Sequence, residues 1–387
     1  MTLCRSHAVV VQIFGGWLAD RVGGRWLFGG GILGCAALTL FTSAVAHVHI
    51  AAVIVLRMLE GMSEGFMFPA THALLSRWTP QSQTTRSVTI AFSGQECGMV
   101  VGILLSGVLC DHGFAGGWPS VFYVFGTIGC LWSGAWFLLC YNSPATHPRI
   151  SPAEREHLQA LIGGTTVDVE KARTPWRGIF TSGPVLACCM AKFAHSWGYH
   201  TILDGLPLFY FDVLGFNMTK NGVLASLPFL AAFVVLLASG QLADWLRAPG
   251  RLSTTTVRKI FISCGLVLPG VFFITSGFLG CHKALVVLTM ITALGCSAPA
   301  WASVTVNSLD LSVTHAATLL GIANTTATLA GISAPKVFGA LTYQSSTRAQ
   351  WQKVFYITAA VEWFGTIVYL LFGSGEPQDW QDYAQST

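Results

Sequence analysis

The chain has 387 residues, 53% of them hydrophobic and only 10% charged, against about 25% charged in a soluble globular chain. Its mean hydropathy is +0.60, and these values exclude an ordinary soluble domain. The formal net charge is +4 with no basic cluster on a polar domain, so no nucleic-acid surface is expected. The eleven cysteines lie mostly in apolar runs, without repeated Cys-x2-Cys or histidine partners. Neither a disulfide framework nor a metal site is expected.

A helix that crosses a bilayer needs about 20 mainly apolar residues. The first apolar run, "AVVVQIFGGWLA" at 8–19, is shorter and reads as the second half of a spanning helix that begins before residue 1. No small-residue cleavage site follows it, so it is not a signal peptide. Ten further spans are predicted at 27–46, 50–76, 87–111, 118–141, 182–212, 220–246, 257–279, 284–309, 314–343 and 352–373. The longest polar stretch contains "ISPAEREHLQALI", a short amphipathic helix with Ser151 as N-cap and Glu154 three residues on. The expected organisation is an N-terminal transmembrane half at 1–146, a linker at 147–180, a C-terminal half at 181–375 and a tail at 376–387.

Charge placement orients the spans. Alternate loops carry Arg21 and Arg25; Arg77 and Arg86; Arg149, Arg155, Lys171, Arg173 and Arg177; and Arg247, Arg251, Arg258 and Lys259. The intervening loops hold only Lys220, Lys283, Arg348 and Lys353. Basic loops face the cytosol. The Asn217 sequon falls in a loop on the opposite side, which suits glycosylation.

The two halves echo each other. "GGWLADRVGGR" at 15–25 returns as "SGQLADWLRAPGR" at 239–251, so Gly-x-Leu-Ala-Asp recurs at an offset of 224. In both copies it ends an apolar helix and opens a basic loop, as in a duplicated six-helix unit. Asp20, Arg21, Arg25 and Asp244 are therefore expected to form a charge set that latches helices in one conformation and releases them in another.

Several spans carry polar groups that lipid would not tolerate. Arg57, Glu60, Glu64 and His72 fall within about 120° of one helical face when counted at 100° per residue. Either carboxylate could pair with Arg57, and protonation or a substrate anion would break that pairing, which is a scheme for coupling a proton to an anion. Glu96 sits mid-helix among small residues. Lys192, His195 and Tyr199 step i, i+3, i+7 along one face. Asn324 offers hydrogen-bonding groups mid-membrane. No catalytic constellation is present: no nucleophile elbow, no phosphate-binding Gly-rich loop, no His-Glu-x-x-His.

The Gly-x-Leu-Ala-Asp-Arg-x-Gly-Gly-Arg signature resembles that of the major facilitator superfamily. "EGFMFPATHALLSRW" at 64–78, "FAHSWGYHTIL" at 193–203, "LSTTTVRKIF" at 252–261 and "SGEPQDW" at 374–380 resemble its anion-transporter branch, solute carrier family 17, which holds sialin, the vesicular glutamate transporters and sodium/phosphate cotransporter-like proteins. The resemblance covers essentially the whole chain. It implies an all-α fold of two six-helix halves, here with the first helix and part of the second missing, leaving about 10–11 transmembrane helices. It implies proton- or sodium-coupled symport of a small anion across a vesicular, lysosomal or plasma membrane, without a cofactor. It also implies a proton-coupling role for Glu64, organised by Arg57. His195 stands where the glutamate branch carries arginine. The family's anion-binding arginine belongs to the first helix, so a non-transporting isoform that associates with a full-length partner is the alternative.

Overall fold

The computed structural model describes residues 2–80, 83–162, 174–216, 218–248, 251–279 and 282–380; the Asn217 sequon lies outside them. The described residues form helices α1 (Thr2–Val22), α2 (Gly24–Ala46), α3 (Ile50–Glu64), α4 (Met67–Trp78), α5 (Thr84–His112), α6 (Trp118–Leu139), α7 (Pro152–Ile162) and α8 (Trp176–Thr181). Then follow α9 (Gly183–His200), a π-helical turn (Thr201–Gly205), α10 (Leu206–Asp212), α11 (Met218–Leu246), α12 (Thr254–Phe278), α13 (Lys283–Leu311), α14 (Ala316–Thr342) and α15 (Arg348–Phe372). Among the described residues seven helices, α2, α5, α6, α11, α12, α13 and α15, are long and apolar enough to cross a membrane.

All ten predicted spans have a helical counterpart, and the differences have local causes. α1 is helical for 21 residues, about 31 Å at 1.5 Å per residue, because its helix continues through the polar Cys4–His7 stretch that the hydropathy count discards. The span 50–76 is two helices with a break at Gly65 and Phe66. The span 182–212 passes through the π turn between α9 and α10. There His200 Nδ1 lies 3.3 Å from Asp204 Oδ2, and Pro207 follows, with no N–H to offer the ladder. α7 is the amphipathic linker helix, and Ser151 Oγ accepts the Glu154 N–H at 3.1 Å as its N-cap.

The helices pack as two sets. α2 lies against α6 and α3, and α1 against α3. In the later set α12 packs on α13 and α15, α9 on α14 and α15, and α11 on α13. Two seams join the sets: α1 along α14, and α5 along α11. Small residues make the seams close. A methyl added at Gly16 would overlap the Ala317 carbonyl, one at Gly321 the Gln12 carbonyl, and one at Gly240 the Thr89 side chain. Backbones that approach this closely associate without a hydrophobic drive between helices. The outer faces remain apolar and exposed, as at Leu131, Leu138 and Leu371, which suits lipid.

The segment after α15 crosses the end of the bundle that bears the basic loops. Asn307 Nδ2 donates to the Ser374 carbonyl at 2.8 Å, Gly375 N–H to Thr255 Oγ1 at 2.9 Å, and Gln378 N–H to the Leu311 carbonyl at 3.1 Å. Trp380 ends this strap against the ring of His315, which sits in the α13–α14 loop. Burial pushes the His315 imidazole down to about 4, from near 6.5 in an unfolded chain. The folded state therefore refuses a proton that the unfolded state accepts, and stability falls as pH drops from 6.5 toward 4. The apparent Tm of purified protein is expected to decline across that window, and to decline less in His315→Phe; identical slopes would remove His315 from the account.

Candidate functional site

The repeated aspartates sit on the two seams at the basic end. α14 starts at Ala316, and its first N–H groups have no partner within the helix. The Asp20 carboxylate accepts from Ala317 N–H at 3.3 Å, Thr318 N–H at 3.0 Å and Thr318 Oγ1 at 2.6 Å. On the other seam Asp244 accepts from Thr85 N–H at 3.3 Å and Arg86 N–H at 2.7 Å, at the start of α5. Each motif thus places an anion on the positive end of a helix in the opposite set. The arginines of the motif act elsewhere. Arg25 donates to the Phe137 carbonyl at 2.5 Å and stacks on Tyr141, while Arg21 lies over Trp17 of its own helix. The two motif aspartates thus meet backbone amides and the Thr318 hydroxyl of the opposite set, and the motif arginines Arg21 and Arg25 take no part in those contacts.

Behind the α5–α11 seam lies a second cluster. Arg258 at the start of α12 is fully buried and grips Asp310 at the end of α13, with Nε–Oδ2 2.7 Å and Nη2–Oδ1 3.3 Å. Its two terminal nitrogens also donate to Thr85 Oγ1 at 3.3 and 3.2 Å. Arg247 reaches the same hydroxyl at 3.4 Å.

Deeper between the sets is a small cavity lined by Glu96 of α5, His195 and Tyr199 of α9, Leu236 of α11, and Ser297 and Trp301 of α13. Its volume is about 10 Å³, roughly room for one water. Glu96 is buried, and its Oε2 has no hydrogen-bond partner. Tyr199 Oη accepts from Gln95 Nε2 at 3.4 Å, and the His195 and Tyr199 rings stack at 6.3 Å. A buried carboxyl, imidazole and phenol around one void provide both acceptors and donors for a polar solute.

The α3 residues form a separate group. Arg57 Nη1 donates to Glu60 Oε2 at 2.5 Å, and Nη2 to Thr42 Oγ1 of α2 at 3.4 Å. Glu60 also accepts from Thr39 at 3.2 Å, and the Phe122 ring of α6 covers the guanidinium. Glu64 is exposed and accepts from the Cys35 thiol at 3.6 Å. His72 does not share this face. The break at Gly65–Phe66 resets the helical count, so His72 on α4 packs instead against Phe92 of α5, with ring centroids 5.6 Å apart. It is fully buried, with neither ring nitrogen hydrogen-bonded. Asn324 is buried on α14 and is not among the residues that line the cavity, and its Nδ2 has no hydrogen-bond partner.

A model of the Major Facilitator Superfamily matches residues 7–335. Human sialin is 40% identical over 376 residues, which is 96% of this chain and 74% of sialin. The chain belongs to this superfamily and, within it, to the sialin and vesicular glutamate transporter family. Vesicular glutamate transporter 3 of Danio rerio is 39% identical over 97% of the chain, which spans 63% of that relative, under two thirds of its length. The proton:xylose symporter XylE superposes with a TM-score of 0.70 over 99% of this chain and 88% of its own, at 15% identity; that likeness shows the fold alone. The protein is a multi-pass membrane protein of the major facilitator fold.

On that fold eight of the predicted residues fall in three places, apart from His72, Asn324, Arg21 and Arg25. Glu96, His195 and Tyr199 meet in the cavity; Arg57, Glu60 and Glu64 lie between α2 and α3; Asp20 and Asp244 lie on the seams. Sequence reasoning passed over Trp301, which carries no charge to draw attention, and Glu362 in "AAVEWFG" on α15, whose lone carboxyl in an apolar run was a readable signal. Glu362 is buried against Gly198 of α9, and its Oε2 has no hydrogen-bond partner.

Proposed function

We propose that this protein is a secondary transporter that moves a small anion by alternating access, the two helix sets rocking about a site between them. The observation that carries the reading is the buried polar cavity of Glu96, His195 and Tyr199 lying between the sets, with latches at the basic end that opening would have to break. Its relatives support an anionic cargo, since several are vesicular glutamate transporters by name. The coupling ion in this reading is a proton or sodium, and the membrane is vesicular, lysosomal or plasma. Arg57, Glu60 and Glu64 form the coupling group: protonation of a carboxylate frees the arginine's charge, and with it the geometry of α3 against α2.

Uptake into proteoliposomes tests this. With an imposed pH or sodium gradient, N-acetylneuraminate, glutamate or inorganic phosphate is expected to accumulate. Glu64→Gln is expected to abolish gradient-driven accumulation while leaving exchange across equal pH. The absence of uptake under either gradient overturns transport, and unchanged accumulation in Glu64→Gln removes that residue from coupling.

A further inference from the structure

We propose that Lys192 is an anion ligand of the transport site, binding a carboxylate or phosphate oxygen of the substrate with the His72 and His195 rings flanking it. The inference rests on the anion-transport reading and names the group that receives the charge.

Lys192 lies on α9 with only 5% of its surface exposed. An ammonium has three donors and no acceptor. Thr305 Oγ1 of α13 takes one at 2.8 Å, and the face of Trp301 lies 5.2 Å from Nζ. Both partners are neutral, and among the described residues no carboxylate forms an ion pair with it. A buried charge without a counter-ion is costly, and intramembrane lysines normally pair or line a path.

The surroundings favour an oxyanion as the missing partner. Trp301 contacts Phe92 edge-on at 5.3 Å, and Phe92 contacts His72 at 5.6 Å. This aromatic chain leads from α13 to α5 and α4, across to the first helix set. His72 lies at its far end with both nitrogens unsatisfied, within Coulombic reach of Lys192, as is His195. Trp301 also lines the cavity that holds His195. A bound oxyanion would supply the ammonium with a counter-ion and a neighbouring imidazole N–H with an acceptor. Because the donors come from both helix sets, such a ligand would bridge the parts that must move. Lys192 is buried, and a low local dielectric strengthens a charge-assisted hydrogen bond.

Purified protein is titrated with N-acetylneuraminate, glutamate and inorganic phosphate, and the apparent Tm is followed. Wild type is expected to rise with at least one of them, and which one distinguishes an organic acid from phosphate. Lys192→Met is expected to weaken that response roughly tenfold or more without lowering the Tm of anion-free protein, since methionine fills the stem volume and removes the buried charge. Lys192→Arg is expected to keep a response. His72→Phe, which preserves the cage and deletes the N–H, is expected to weaken it. A full response in Lys192→Met, or a wild type unmoved by all three anions, overturns the proposal. The two readings fail separately. An anion response that depends on Lys192 but comes without uptake counts against transport alone. Uptake with an unchanged KM in Lys192→Met counts against the ligand alone.

Discussion

In Asp20→Ala the first turn of α14 is expected to exchange its amide hydrogens at least about tenfold faster than in wild type, while amides in the middle of the helix keep their protection. Asp20 is 7% exposed and satisfies two backbone N–H groups and one hydroxyl of α14. Alanine leaves these donors without an acceptor in a place water reaches poorly, at about 1–3 kcal/mol for each buried group left unmet. The loss falls on the closed arrangement of the seam, because once α1 and α14 part, water replaces the carboxylate. The variant therefore shifts the population toward an open basic end. Asp20→Asn keeps one acceptor oxygen but turns a donor toward Thr318, so an intermediate effect is expected. Hydrogen-exchange mass spectrometry of peptides covering 316–325 checks this, and unchanged exchange at 317–320 would show that the carboxylate does not hold the seam.

The same experiment on Asp244→Ala reads the other seam at the start of α5. Asp244 meets two N–H groups rather than three donors, and Arg247 lies 3.7 Å away. The motif's two copies are alike in kind and unequal in strength, and the double variant is expected to add the two effects if the seams open independently.

The seams illustrate what sequence could and could not carry. The 224-residue repeat and the basic loops that follow it mark Asp20 and Asp244 as special, and they lie at equivalent places. What they bind was not legible, because their partners are backbone amides of helices far along the chain, and a helix start has no residue signature that names its acceptor. The spans were readable because 20-residue apolar runs leave few alternatives in a bilayer. The face shared by Arg57, Glu60, Glu64 and His72 was misread at its last member. The angular count is sound within α3, where the Arg57–Glu60 pair forms at i, i+3, but Pro69 has no N–H for the Gly65 carbonyl four residues before it, and the count was carried across the break at Gly65–Phe66. Lys192, His195 and Tyr199 share a face as their spacing requires. Only the third dimension brings Glu96, Trp301 and Thr305 to that face from α5 and α13.

Asp310→Asn and Arg258→Met are each expected to lower the apparent Tm strongly, and the double variant Arg258→Met/Asp310→Leu to recover most of the loss. Breaking one side of a buried ion pair costs about 3–5 kcal/mol, because a charge is stranded, whereas replacing both sides with apolar groups is often neutral. Here Arg258 is 0% exposed and its fork meets both Asp310 oxygens. Lysine cannot reproduce that geometry, so Arg258→Lys is expected to behave as a loss. In Arg258→Met the Asp310 carboxylate still has Arg247 at 3.7 Å, whereas Asp310→Asn takes from Arg258 its ion-pair partner while Arg247 keeps Asp244, which makes that variant the worse of the two. Thermal melts of wild type, Arg258→Met, Asp310→Leu and the double give the double-mutant cycle, and failure of the double to recover would mean that the pair is needed for assembly rather than merely for charge balance. Thr85→Val separates the internal pair from the seam. The hydroxyl accepts from Arg258 and Arg247 across α5, and valine keeps its volume. Stability is then expected to fall by about 1–3 kcal/mol, because Arg258 Nη1 loses its acceptor, while exchange at the start of α5 rises, because the arginines lose their hold on the opposite set and keep Asp310.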